Sequence, residues 1–183
     1  LNFNLNNFSK FKDKINYILV DDLPINIKSY KKNWPVHHLR DQHQRNSLAK
    51  GYKNLNDDDL IMISDIDEIP DPVKIKEFKI NNKYACFIQN NYQSKLNLLN
   101  DTDKYWMGTK IIQKKFIKSP QWLRSIKTSK PAFWKFYKPK QPQLIYDGGW
   151  HFSFLKNSKG IAKKIKSYSH SEYNIPEFTN EEK

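Results

Sequence analysis

Cysteine is almost absent: Cys86 is the only one among 183 residues. No disulfide can form within the chain, and the redox compartment is not written in it. No apolar run is long enough to read as a membrane span, and the opening residues do not resemble a signal peptide. No internal repeat recurs and no linker divides the chain. Residues 1–183 therefore read as one domain, too short for two substantial cores. Acidic residues are also in deficit, 19 against 32 Lys and Arg, for a formal net charge of +13. Such a balance favours anionic partners: nucleic acid, an anionic lipid surface or a sugar nucleotide. The lysines are scattered among Asn and Ile, however, and most read as solvated surface. Hydrophobic residues reach only 38%, yet aromatics at 14% still supply enough area for a packed core.

What is present centres on the stretch 59–70, Asp-Leu-Ile-Met-Ile-Ser-Asp-Ile-Asp-Glu-Ile-Pro. Leu60, Ile61, Met62 and Ile63 read as a buried strand of a parallel sheet. The run ends in Asp65, Asp67 and Glu68. Asp65 and Asp67 are two apart, so an extended backbone points both to one side. Paired carboxylates at the end of a strand suit a hard divalent cation, and strand ends are where open α/β sheets bind ligands. Asp71-Pro72 then reads as an N-cap with proline at the first helical position. The expected order is strand, acidic loop, helix.

Elsewhere the patterning is that of an α/β chain. Strands are expected over 14–20, 84–91 and 111–117, with 95–99 pairing back through a turn. Helices are expected over 36–52, 72–81 and 120–126, and another is expected to be capped by Ser158. In the first helix Leu39, His43, Leu48 and Tyr52 form one stripe, with Gly51 near the C-terminal cap. Arg40 and Arg45 flank it, and arginine there suits a diphosphate or, equally, a solvated charge. Arg124 lies on the helix over 120–126. Tyr105, Trp106, Met107 and Gly108 read as a loop edge, and 130–143 as an irregular loop. Gly148-Gly149 permits unusual backbone angles and close approach to a ligand, beside Asp147, Trp150 and His151.

Four segments together resemble glycosyltransferase family 17. They are Arg-Asp-Gln-His-Gln-Arg-Asn at 40–46, Ser-Asp-Ile-Asp-Glu-Ile-Pro at 64–70, Gly-Gly-Trp-His-Phe-Ser at 148–153 and Lys-Ile-Lys-Ser-Tyr-Ser-His-Ser-Glu at 164–172. The resemblance runs from about residue 12 to 174. It implies a GT-A-like α/β fold, a mixed central sheet flanked by helices. It also implies a further strand–helix–strand unit ahead of 14–24 that these residues do not contain, so the chain is expected to be a partial domain.

The activity implied is inverting transfer of N-acetylglucosamine from UDP-N-acetylglucosamine to a sugar hydroxyl, β-1,4 to mannose in the family. A Mn2+ or Mg2+ ion held by Asp65 and Asp67, with His151 completing the set, would offset charge on the departing diphosphate. Arg40, Arg45, Asp65 and Arg124 are then expected at the donor. Trp106 and Trp150 are expected to stack on acceptor sugars. Inversion requires a base near the acceptor hydroxyl, and the candidates are Asp147, Glu172 and His151. The partners implied are a UDP-sugar and a glycan or glycoconjugate. Animal relatives work in the Golgi lumen; a microbial chain would be cytoplasmic or membrane-associated. The competing reading is a basic nucleic-acid-binding protein or metal-dependent nuclease, against which no nucleic-acid-binding motif appears and no basic cluster surrounds the acidic loop.

Overall fold

The computed structural model describes residues 4–23, 36–131, 134 and 140–167. The chain divides into two units, Leu1–Asn54 and Leu55–Lys183. In the first, a 3-10 helix spans Leu5–Lys14, and the Asn4 side chain accepts from the Asn6 amide at 3.0 Å. The strand expected over 14–20 does not form. Lys14 closes the helix instead, and residues 15–23 take no ladder partner among those described. Tyr17 and Leu19 stand half exposed. An alternating apolar run becomes a strand only where a sheet edge accepts it.

Helix α1, Val36–Ser47, continues as a 3-10 segment Leu48–Tyr52, so the helix expected over 36–52 is present in two parts. Ser47 Oγ donates back to the His43 carbonyl at 3.0 Å, the local bond by which serine competes with a regular helix. The expected stripe breaks there, since Leu48 is exposed. Gly51 lies inside the tightened segment rather than capping it.

The second unit holds a six-stranded mixed sheet. Its strands are β1 (Leu60–Ile63), β2 (Glu68–Pro70), β3 (Tyr84–Gln93), β4 (Tyr105–Gln113), β5 (Gln143–Ile145) and β6 (Gly149–Ser153). The order is β1-β4-β3-β6-β2, with β5 also on β3. β1 pairs antiparallel with β4, which corrects its assignment to a parallel sheet. β3 runs parallel to β5 and β6, and β2 antiparallel to β6. Residues 105–108 belong to β4, not to a loop, because β3 offers them a ladder: Trp106 pairs with Gln89 and Tyr105 with Asn90. β4 stops at Gln113, four residues short of the expected end, and turns into the 3-10 helix Lys114–Phe116. The pairing expected for 95–99 reduces to one bridge, Tyr92 with Leu99.

Asp71 caps as expected, its Oδ1 accepting from the Val73 amide at 2.9 Å. The helix it starts is 3-10, Pro72–Glu77, followed by a second short one, Ile80–Asn82. Helix α2, Pro120–Ser125, is capped by Ser119. Helix α3, Ser158–Ser167, takes its cap from Asn157, one residue before the serine expected to supply it; Asn157 Oδ1 accepts from the Gly160 amide at 2.9 Å.

Phe78, Ala85, Phe87, Ile111 and Ile145 form the core of the sheet. Cys86 is fully buried beside them, and burial pushes its thiol up to about 11. Lys110 is buried too. Its Nζ donates to the carbonyls of Arg124 and Ile126 at 2.6 and 2.5 Å, closing the C-terminal end of α2. Burial lowers its pKa to about 8. This anchor fixes α2 against β4 and so aims Arg124.

Candidate active site

β1 ends at Ile63, and the chain turns at once: the Glu68 amide donates to the Asp65 carbonyl at 3.0 Å. That turn replaces the extended segment expected to point Asp65 and Asp67 to one side. Ile66 at its tip is fully exposed. Glu68 then opens β2 with its side chain inward, at 0% exposure. Its Oε1 accepts from Trp106 Nε1 at 2.9 Å and from Arg124 Nη2 at 2.8 Å. Its Oε2 accepts from Arg124 Nη1 at 2.9 Å and from the Asp65 amide at 3.1 Å. A fork-on-fork arginine pair of this kind is both strong and directional.

Arg124 does more than neutralise Glu68. Nη1 also donates to the Gly108 carbonyl and Nη2 to Asp65 Oδ2, both at 2.8 Å. Its guanidinium therefore ties α2, β4 and the acidic turn together. Burial alone would lower its pKa; the hydrogen bonds to Glu68 and the charges of Glu68 and Asp65 outweigh it, so the guanidinium is held more firmly charged than usual. Beside it, Ser64 and Thr109 share a hydroxyl contact of 2.6 Å that links the strand end to β4.

Asp67 takes other neighbours. His151, opposite Glu68 in the β2–β6 ladder, presents Nε2 at 3.8 Å from Asp67 Oδ1. Lys164 of α3 lies 3.8 Å from Oδ2. The Asp67 carbonyl accepts from the Phe152 amide at 2.9 Å, which holds the turn against β6. The other ring nitrogen, Nδ1, is 2.8 Å from Asn91 Oδ1, and Trp106 stacks on the ring at 4.2 Å and 10°. Burial lowers the His151 pKa, with Asp67 opposing. The imidazole is thus neutral at neutral pH.

The expected residues do not all meet. Asp65, Arg124, Trp106, His151 and Asp67 fall within one connected set, through Glu68. Asp147 does not join them. It sits in the turn before β6 at a positive φ of 51°, where the Asp71 amide bonds the Gly148 carbonyl, and its charge bears on Lys74. Asp67 is at the opposite end of the same β2–β6 ladder. The two tryptophans also part company. Consecutive residues of a strand face opposite ways, so Trp150 (38% exposed) projects from the other side of the sheet than His151. Arg40 and Arg45 lie on α1 in the N-terminal unit, the first exposed and the second half-buried. Glu172 lies outside the described residues.

Asp67 and His151 supply a carboxylate oxygen and an unprotonated imidazole nitrogen, donors that manganese accepts. Asp65 has one oxygen engaged by Arg124. Among the described residues, no group of three His, Cys, Asp or Glu side chains is gathered in the manner of a metal centre. Two contributors went unsingled in the sequence. Glu68 carried a misleading signal: strand alternation reads Ile69 as inward and so Glu68 as outward, the reverse of what forms, with Ile69 49% and Glu68 4% exposed. Asn91 had none beyond being polar at the end of an apolar strand.

The described residues thus present a tight acidic turn at the end of β1, with an imidazole beside it, on a mixed sheet flanked by helices. The chain belongs to glycosyltransferase family 17, whose family model matches residues 1–183. That assignment decides for sugar transfer over the nuclease reading. No curated protein and no solved structure matches the chain. No helix among the described residues is long and apolar enough to cross a membrane.

Proposed function

We propose that the chain transfers N-acetylglucosamine from UDP-N-acetylglucosamine to a sugar hydroxyl with inversion, forming a β-1,4 link to mannose or a similar acceptor. The observation that carries this reading is the preset turn: Glu68 and Arg124 hold Asp65, while His151 Nε2 faces Asp67. The mixed sheet with its acidic turn is consistent with a GT-A-like arrangement. Asp67 and His151 would hold a Mn2+ or Mg2+ ion, with Asp65 turned toward the donor. When bound, such an ion offsets negative charge on the departing diphosphate.

This chain's residues do the rest. Arg124 keeps Asp65 in place and braces the turn from within. Trp106, stacked on His151 by one face, is the acceptor-stacking candidate on the site's side of the sheet; Trp150 stands on the other side. Of the three candidate bases, His151 faces Asp67 and Asp147 stands at the far end of the ladder. We therefore give the role to Glu172.

Titration calorimetry of UDP-N-acetylglucosamine with and without manganese tests the donor site. Asp67→Asn is expected to abolish the manganese-dependent part of binding, and undiminished binding would sink the assignment. For the base, Glu172→Gln is expected to cut turnover by about 10²-fold or more while donor affinity stays unchanged. Full turnover in that variant returns the role to Asp147 or His151.

A further inference from the structure

We infer that Asn91 is a positioning residue: it fixes His151 as the Nδ1–H tautomer and so leaves the Nε2 lone pair facing Asp67. Asn91 lies on β3, directly beside His151 in the parallel β3–β6 ladder, and is 5% exposed. Both ends of its amide are engaged. Nδ2 donates to the Asp103 carbonyl at 2.8 Å, and Oδ1 lies 2.8 Å from His151 Nδ1. Rotating the amide by half a turn would set Oδ1 against the Asp103 carbonyl, two acceptors face to face. The backbone cannot slide to relieve this, because the Asn91 amide donates to the Lys104 carbonyl and its carbonyl accepts from Asn100, at 2.9 and 2.8 Å.

With Oδ1 fixed as an acceptor, Nδ1 must carry the ring proton. Nε2 is then a bare lone pair, and it points to the Asp67 carboxylate. In the other tautomer Nε2 would carry the proton and be lost as a ligand. Trp106 removes the remaining freedom. Stacked at 4.2 Å and held by its own bond to Glu68, it keeps the imidazole from tilting out of line. The ring is therefore set by Asn91 along one axis and by Trp106 along the other. Metal-binding histidines generally have the second nitrogen fixed in this way, and disturbing that partner weakens metal affinity about 10–100-fold.

The functional half of this inference rests on Asp67 and His151 as the cation-binding pair; the tautomer does not. The test separates them. Long-range 1H–15N spectra of the full chain, labelled in histidine and free of metal, report which ring nitrogen is protonated, with His151 assigned by its absence in His151→Gln. Wild type is expected to show Nδ1–H. Asn91→Leu is expected to turn to Nε2–H. In the presence of UDP, manganese affinity is expected to fall roughly 10–100-fold in Asn91→Leu. An Nε2–H signal in wild type overturns the inference outright, whatever the variants do. So does an Nδ1–H signal that survives in Asn91→Leu. If the tautomers behave as expected and wild type binds no manganese, the positioning of His151 stands and its role toward a cation is overturned.

Discussion

Glu68→Ala is expected to destabilise the fold by about 3–5 kcal/mol, because it strands the Arg124 charge in a buried site. The arginine side chain is 11% exposed and the glutamate 0%. Glu68 accepts four hydrogen bonds, from Arg124 twice, from Trp106 and from the Asp65 amide. Among the described residues, Asp65, 40% exposed, and the Gly108 carbonyl would remain for the guanidinium. The Trp106 N–H would lose its acceptor, adding a buried unsatisfied donor. For a chain of this length the loss corresponds to a fall in Tm on the order of 10 °C. Thermal unfolding of Glu68→Ala, Arg124→Met and the double variant measures it. The double variant should recover much of the loss, since removing both charges removes the desolvation penalty with them. A Glu68→Ala protein as stable as wild type would show that the buried pair contributes nothing to the fold.

Gly149→Ala is expected to be as damaging, for a reason of shape. Gly149 has φ of 126°, a region that side chains rarely enter. A Cβ there would lie 2.2 Å from the Ile69 carbonyl oxygen, 2.7 Å from the Asp71 nitrogen and 2.9 Å from the Pro70 Cα. All three are backbone atoms of or next to β2, so no side chain can swing aside. Strain of about 1–3 kcal/mol and overpacking of about 1–3 kcal/mol give an expected loss of about 2–6 kcal/mol. Urea unfolding reads the total. Hydrogen exchange reads the place: the Phe152 amide, bonded to the Asp67 carbonyl, should lose protection as β2 parts from β6. Gly51→Ala is the control: its Cβ would meet chiefly the far end of the Ile18 side chain, Cδ1 at 3.2 Å, which can move. Equal losses at both positions would refute the steric account of Gly149.

Much of this architecture was legible in the chain wherever a signal is local. Leu60–Ile63 reads as a strand because four apolar residues run into acids, and Asp71-Pro72 reads as a helix start because cap and proline adjoin. Signals that depend on a distant partner were not legible. Residues 14–20 have strand patterning, yet patterning does not supply an edge to pair with. Residues 105–108, an aromatic cluster that follows Asn100, Asp101 and Asp103, look like a loop edge until β3 gives them a ladder. In the site, the acidic motif stood out by type and spacing and His151 by its neighbouring glycines, while Arg124 was only an arginine on a short helix. What each does depends on contacts across 56 to 60 residues, such as Arg124 with Glu68 and His151 with Asn91. Asp147 shows the same limit from the other side. Its place beside the Gly148-Gly149 pair made it a candidate base, and only the fold shows that its turn adjoins Asp71 and Lys74 at the other end of the β2–β6 ladder from Asp67.

The acidic turn also offers a vantage point. Ile66 projects fully into solvent between two carboxylates whose positions are held from within by Glu68, Arg124 and the Phe152 amide. Nothing in the turn leans on the isoleucine side chain, so that position can carry a foreign group without moving Asp65 or Asp67. The one native thiol, Cys86, is sealed in the core and pushed up to about 11. A cysteine placed at 66 would therefore be the chain's only reactive one. A fluorophore attached there would sit within a residue of both carboxylates, reporting the arrival of a nucleotide or a cation by its own change in brightness.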